Sequence, residues 1–227
     1  MVRAVAFCPH PPLLVPEVAQ GAASELDDLR GACFTAIKRA ASVAGSWVVV
    51  GAGARSASYP PNAHGSLAGF GVDLELSLGS DEPGPVELPL SLTIGAWLLR
   101  ETLGADSGAS GYSIGPDGGA LPLLDDDDQA FLVMGDGSAR RSTSAPGYLD
   151  PRAGAFDAAV AGALGSGVAA RLRTDAQLGG ELWATGPVVW NAVADALGDA
   201  VFSSSELLYD AAPYGVGYFA AVWTGRD

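Results

Sequence analysis

Apolar positions along this chain follow two rhythms. Solid apolar runs at 2–7, 47–51 and 129–134 predict strands buried on both faces. Residues 72–78 instead alternate as Val-Asp-Leu-Glu-Leu-Ser-Leu, the pattern of a strand with one covered face. Leu26, Leu29, Cys33, Ile37 and Ala40 recur at spacings of three and four, which predicts a helix over 17–42. Further helices are expected over 88–103, which carries Ile94, Trp97 and Leu98, over 151–164 with Pro151 near its first turn, and over 187–197. A short strand is expected at 111–114. Two strand-like runs, 200–208 and 217–223, close the chain.

Strands alternating with helices imply an α/β fold, a central mixed β-sheet with helices on both faces. The terminal strand pair predicts that part of the sheet is antiparallel. No interdomain linker stands out, so 1–227 reads as one domain. The Gly-, Asp- and Pro-rich stretch 104–128 reads as a long surface excursion. Within it, Asp125, Asp126, Asp127 and Asp128 lack the spaced oxygens and glycine of a calcium loop, and read as a solvated turn.

Charge narrows the field of partners. The formal net charge of −14 argues against nucleic acid, because phosphate contacts need clustered Lys and Arg. It also disfavours an anionic membrane surface. No run of about twenty apolar residues suggests a membrane span. The start of the chain lacks a secretory pattern, since Pro9 follows a short apolar run at once. With two cysteines, Cys8 and Cys33, the expectation is a cytoplasmic protein with reduced thiols. Cys8 lies two residues before His10 and is close enough in sequence to face a metal there; the plainer reading is a buried thiol.

The candidate chemistry lies with the two histidines, His10 and His64. Each follows a predicted strand, and each loop is stiffened by prolines. Ligands of α/β proteins bind where loops leave the carboxyl ends of strands. The plain alternative is two loop histidines bonded to nearby backbone. Two His and one carboxylate can hold non-haem Fe(II) and leave positions open for a chelating substrate and O₂. The carboxylate must come from the 26 Asp and Glu residues. Glu206 is the candidate, because it follows Ser203-Ser204-Ser205 at the expected end of a strand in an otherwise uncharged stretch. Its alternative is a surface Glu opening a loop.

These residues also carry a family resemblance. Pro9-His10-Pro11-Pro12 after the first strand resembles the opening of the class III extradiol ring-cleavage dioxygenases, the family of the protocatechuate 4,5-dioxygenase beta subunit. Ala63-His64-Gly65 resembles that family's second His loop. Leu132-Val133-Met134-Gly135-Asp136-Gly137-Ser138-Ala139-Arg140 resembles its strand with a Gly-Asp-Leu-Ser-His-Arg type motif. Pro146-Gly147-Tyr148 and Phe156-Asp157 continue it, and Glu206-Leu207-Leu208-Tyr209 with Pro213-Tyr214-Gly215 resembles the segment that supplies the carboxylate.

The resemblance implies Fe(II), or another divalent metal, on His10, His64 and Glu206. It implies a small aromatic or otherwise chelating substrate, and it allows a homo-oligomer or a companion subunit. It also exposes a departure. The family's acid/base His would follow Ser138, where this chain has Ala139. A positioned acid/base contributes about 10²–10⁴-fold to such chemistry, and alanine cannot serve. Asp136, Tyr209 and Tyr214 are the candidate substitutes, with a turn-forming role as the alternative for Asp136. Arg140 and Arg141 are candidates to hold an anionic substrate group or to be solvated. Three readings follow: a divergent metal-binding dioxygenase-like protein, a non-catalytic binding or scaffold protein that keeps the fold, and a zinc hydrolase using the same ligands.

Overall fold

The computed structural model describes residues 1–80, 84–122 and 128–225. The first strand, β1 (Val2–Cys8), leads through His10 and a 3₁₀ turn at Pro12–Leu14 to α1 (Pro16–Ala19), a second 3₁₀ segment at Gln20–Leu26 and α2 (Asp27–Ala41). Then come β2 (Ser46–Ala52), β3 (Ala57–Tyr59), β4 (His64–Ser66), β5 (Glu75–Ser77) and α3 (Leu90–Leu103). The chain continues through β6 (Ser110–Ile114), β7 (Gln129–Met134), α4 (Ala153–Leu164), α5 (Ala176–Glu181), α6 (Gly186–Leu197), β8 (Ser204–Ala211) and β9 (Tyr218–Thr224).

Seven strands form one mixed sheet in the order β3-β6-β2-β7-β1-β9-β8. β6, β2, β7 and β1 run parallel, while β3, β9 and β8 each pair antiparallel to their neighbours. β7 lies near the middle and is buried at all six positions, as a strand covered on both faces must be. Its side chains divide by alternation. Ala130, Leu132 and Met134 enter the core beneath α2 and α3, and Phe131 and Val133 enter the core beneath α4 and α6. The fold is α/β with helices on both faces.

Several expected elements change at their edges. The helix expected over 17–42 is broken, because Gln20 takes a left-handed φ of 48° at the end of α1 and the regular helix restarts at Asp27. The alternating stretch 72–78 contributes only β5, which pairs with β4 in a separate two-stranded sheet. The excursion 104–128 holds β6, and Asp128 is the only member of the acidic run among the described residues. Its carbonyl accepts the N–H groups of Gly45 and Ser46 at the start of β2.

The strand expected at 200–208 begins instead at Ser204 and runs to Ala211. That shift governs the reading of Glu206.

Candidate functional site

Both histidine segments rest against α3, and His64, expected in a loop, is the first residue of β4. The Pro12–Leu14 turn after His10 touches α3, and so does β4, which opens with His64. Leu14, Ala63 and Leu67 fill one core. His64 is fixed by its backbone: its N–H donates to Val86 O at 2.9 Å and its carbonyl accepts from Leu88 N at 2.7 Å. Gly65 follows because no side chain fits there. A Cβ on it would lie 2.0 Å from Thr93 Oγ1, and that hydroxyl is committed to Pro89 O. The Ala-His-Gly sequence thus has a packing cause.

His10 is nearly buried and is paired with Asp136, which follows β7. Asp136 Oδ1 accepts the His10 backbone N–H at 2.8 Å and lies 3.5 Å from His10 Nδ1. Asp136 is held from the other side by the start of α6. Its N–H donates to Thr185 Oγ1 at 3.2 Å, and its carbonyl accepts from Gly186 N at 2.9 Å. The Gly-Asp-Gly turn therefore clamps the end of β1 to α6. Nδ1 of both His10 and His64 is buried without a hydrogen-bond partner.

The remaining candidates lie elsewhere on this end of the sheet or away from it. Ala139 is buried, with its N–H on Leu182 O and its carbonyl on Gly147 N. Ser138 is a structural residue: its N–H and hydroxyl both donate to the fully buried Asp157 carboxylate at 2.8 Å. Arg141 completes that cluster with a 3.0 Å bond to Asp157. Arg140 lies over the Trp183 ring and donates to Glu181 O.

Tyr209 is half-buried against the core beneath α2. Burial raises its phenol above the usual range, with Asp28 and Cys33 adding. Tyr214 donates to Glu25 at 3.0 Å and is raised by burial and by that bond. Both hold their protons more tightly than free tyrosine, which opposes a base role. Tyr218, at the start of β9, is raised further, by burial first and then by Asp136, Tyr214 and Tyr209. Cys8 is buried beside Cys33, and burial pushes its thiol up, away from the thiolate that binds metal.

Glu206 is not brought to the histidines. It is the third residue of β8, with its side chain ion-paired to Arg39 on α2. The register sets it opposite Val222 on β9, which in turn faces Ala6 on β1. Glu206 therefore lies two strands across and four residues short of His10, roughly 10 Å and roughly 13 Å in those two directions. Among the described residues, no three His, Cys, Asp or Glu side chains form a group able to hold a metal ion. The set His10, His64 and Glu206 does not fit an Fe(II) centre. Within the set, the buried atoms left without a hydrogen bond are Nδ1 of His10 and Nδ1 of His64.

A cleft of about 500 Å³ opens at the carboxyl ends of β2 and β6, lined by Ala52, Gly53, Gly118, Thr185 and Asn191 among others. It adjoins the Asp136 turn through Thr185. A second cleft, of about 510 Å³, lies between α4 and the start of α5 and includes Arg152, Arg171 and Arg173. Sequence reading passed over these arginines, although Arg171-Leu172-Arg173 stands out in a chain with only 12 basic residues.

Among the described residues, no helix is long and apolar enough to cross a membrane. No protein-family model and no curated protein matches the chain. Among solved structures, it is similar to the uncharacterized protein JW3007 from Escherichia coli K12. The TM-score is 0.51 and the identity 15%, over 98% of this chain and 100% of that one. That likeness shows the α/β fold alone.

Proposed function

We propose that this chain is a small-ligand-binding protein that keeps a dioxygenase-like α/β fold without that family's metal-dependent ring cleavage. One observation carries the reading. Glu206, the only carboxylate that the resemblance offers as third ligand, sits mid-strand, level with Ala6 and bound to Arg39. The buried Ala139 in place of an acid/base histidine supports it from a second side.

The ligand site of this reading is the cleft at the carboxyl ends of β2 and β6, the position where α/β sheets bind ligands. The Thr185 hydroxyl, which accepts from Asp136 N and keeps its own hydrogen to donate, favours a ligand with a hydrogen-bond acceptor, while the Asn191 amide is spent on Thr174. The Asp136–His10 clamp has a positioning role here, fixing the loop that carries Thr185's partner.

Oxygen uptake tests this reading. Protein loaded anaerobically with Fe(II) and mixed with catechol should consume O₂ no faster than Fe(II) with catechol alone. Sustained uptake, abolished by His10→Ala, would restore the enzyme reading.

A second reading has its own observation. Nδ1 of His10 and Nδ1 of His64 are both buried without a hydrogen bond, on two segments that each touch α3. A divalent metal held by these two with solvent would use them. Zn(II) retention lost in both His10→Ala and His64→Ala, but unchanged in Glu206→Gln, would favour it.

A further inference from the structure

We infer that the cleft between α4 and α5 is a binding site for a small carboxylate with an apolar body. The inference is independent of the cleft beside Thr185. This protein carries a net charge of −14, yet three of its 12 basic residues line this one concavity of about 510 Å³. A volume of that size falls in the range of small-molecule sites.

The charges in the cleft are spent unequally. Arg152 is committed to Asp150 and Glu181. Arg173 is committed to Asp195, which lines the neighbouring cleft. Asp175, the one carboxylate in the lining, is turned into α5, where it accepts Leu178 N at 3.0 Å. Arg171 is exposed, its backbone N–H donates to Val168 O, and its guanidinium has no ion-pair or hydrogen-bond partner among the described residues. The uncommitted charge of the cleft is therefore positive, and a guanidinium presents a donor fork that matches a carboxylate.

The opposite wall is apolar. Ala155 and Ala159 lie one turn apart on α4, both exposed, with Phe156 and Leu178 beside them. Small side chains leave room for a ligand body, and the larger two give it surface to bury. A ligand that places its carboxylate on Arg171 and its chain along α4 satisfies both halves. Inorganic anions satisfy only the first.

Calorimetric titration tests the assignment, with hexanoate as probe and hexanamide and acetate as controls. Hexanoate should bind saturably, about tenfold or more tighter than either control. Arg171→Gln should weaken hexanoate about tenfold and leave hexanamide unchanged. Ala159→Trp fills the cleft from an exposed helical position, so circular dichroism should stay native while hexanoate binding is lost. Absence of saturable binding to the wild type would overturn the assignment. So would equal affinity for hexanoate and hexanamide, or full affinity in Ala159→Trp.

Discussion

Arg39 on α2 donates to the carboxylate of Glu206 on β8, and both side chains are about half exposed. The pair ties the helix to the edge strand on the covered face of the sheet. It occupies the carboxylate that the histidines would need. Exposed ion pairs contribute little, so Glu206→Gln should change unfolding stability by less than about 1 kcal/mol. Urea denaturation measures this. A loss of several kcal/mol would mean that Glu206 does more than hold Arg39.

The fully buried Asp157 depends on Ser138 and Arg141. Removing the carboxylate leaves a guanidinium and two Ser138 donors unsatisfied. Asp157→Ala should cost about 3 kcal/mol, and Ser138→Ala about 1 kcal/mol. If both variants unfold at the wild-type denaturant concentration, the cluster is not a structural support.

At Gly65 the steric argument is direct. An added methyl would meet Thr93, which is 2% exposed and bonded to its own helix. Gly65→Ala should destabilise by about 1–3 kcal/mol and shift the His64 ring resonances. Unchanged stability and unchanged His64 resonances would show that the added methyl fits without displacing β4 from α3.

Tyr218 sets an alkaline limit. Its phenol is raised above the unfolded value of about 10 by burial, then by Asp136 and the neighbouring tyrosines. A raised folded value means that its contribution is complete below the unfolded value and is lost as pH rises towards the folded one. Stability should fall above about pH 10, and Tyr218→Phe should make that fall shallower. An identical alkaline slope in the variant would place the sensitive group elsewhere.

Periodicity made most of the sheet legible. Residues 129–134 match β7 at both ends, and the helix expected at 187–197 starts one residue early, at Gly186. These segments are buried by their own apolar pattern, so sequence and structure report the same force. The misplaced edges have local causes. Pattern alone could not register the left-handed turn at Gln20, which splits the long helix.

The consequential shift is in the terminal strand. Val201 and Phe202 look like strand residues, but Phe202 packs into the core beneath α4 and α6 ahead of β8. With β8 starting at Ser204, Glu206 moves from the expected end of a strand to the third residue of one. His10 was legible as a loop residue after a strand, whereas His64, expected in a loop, opens β4 and pairs with Ser77 on β5. Their missing third partner was not legible, because it depends on register between three strands. The clamp between Asp136 and His10 was equally hidden, since it spans 126 residues of sequence.

Metal stoichiometry after anaerobic Fe(II) loading and desalting, compared across wild type, His10→Ala and Glu206→Gln, is the most direct test. The placement of Glu206 predicts that Glu206→Gln retains as much metal as wild type, and that none of the three proteins holds one Fe(II) per chain. One Fe(II) per wild-type chain, lost in both variants, would contradict it and establish the three-ligand centre.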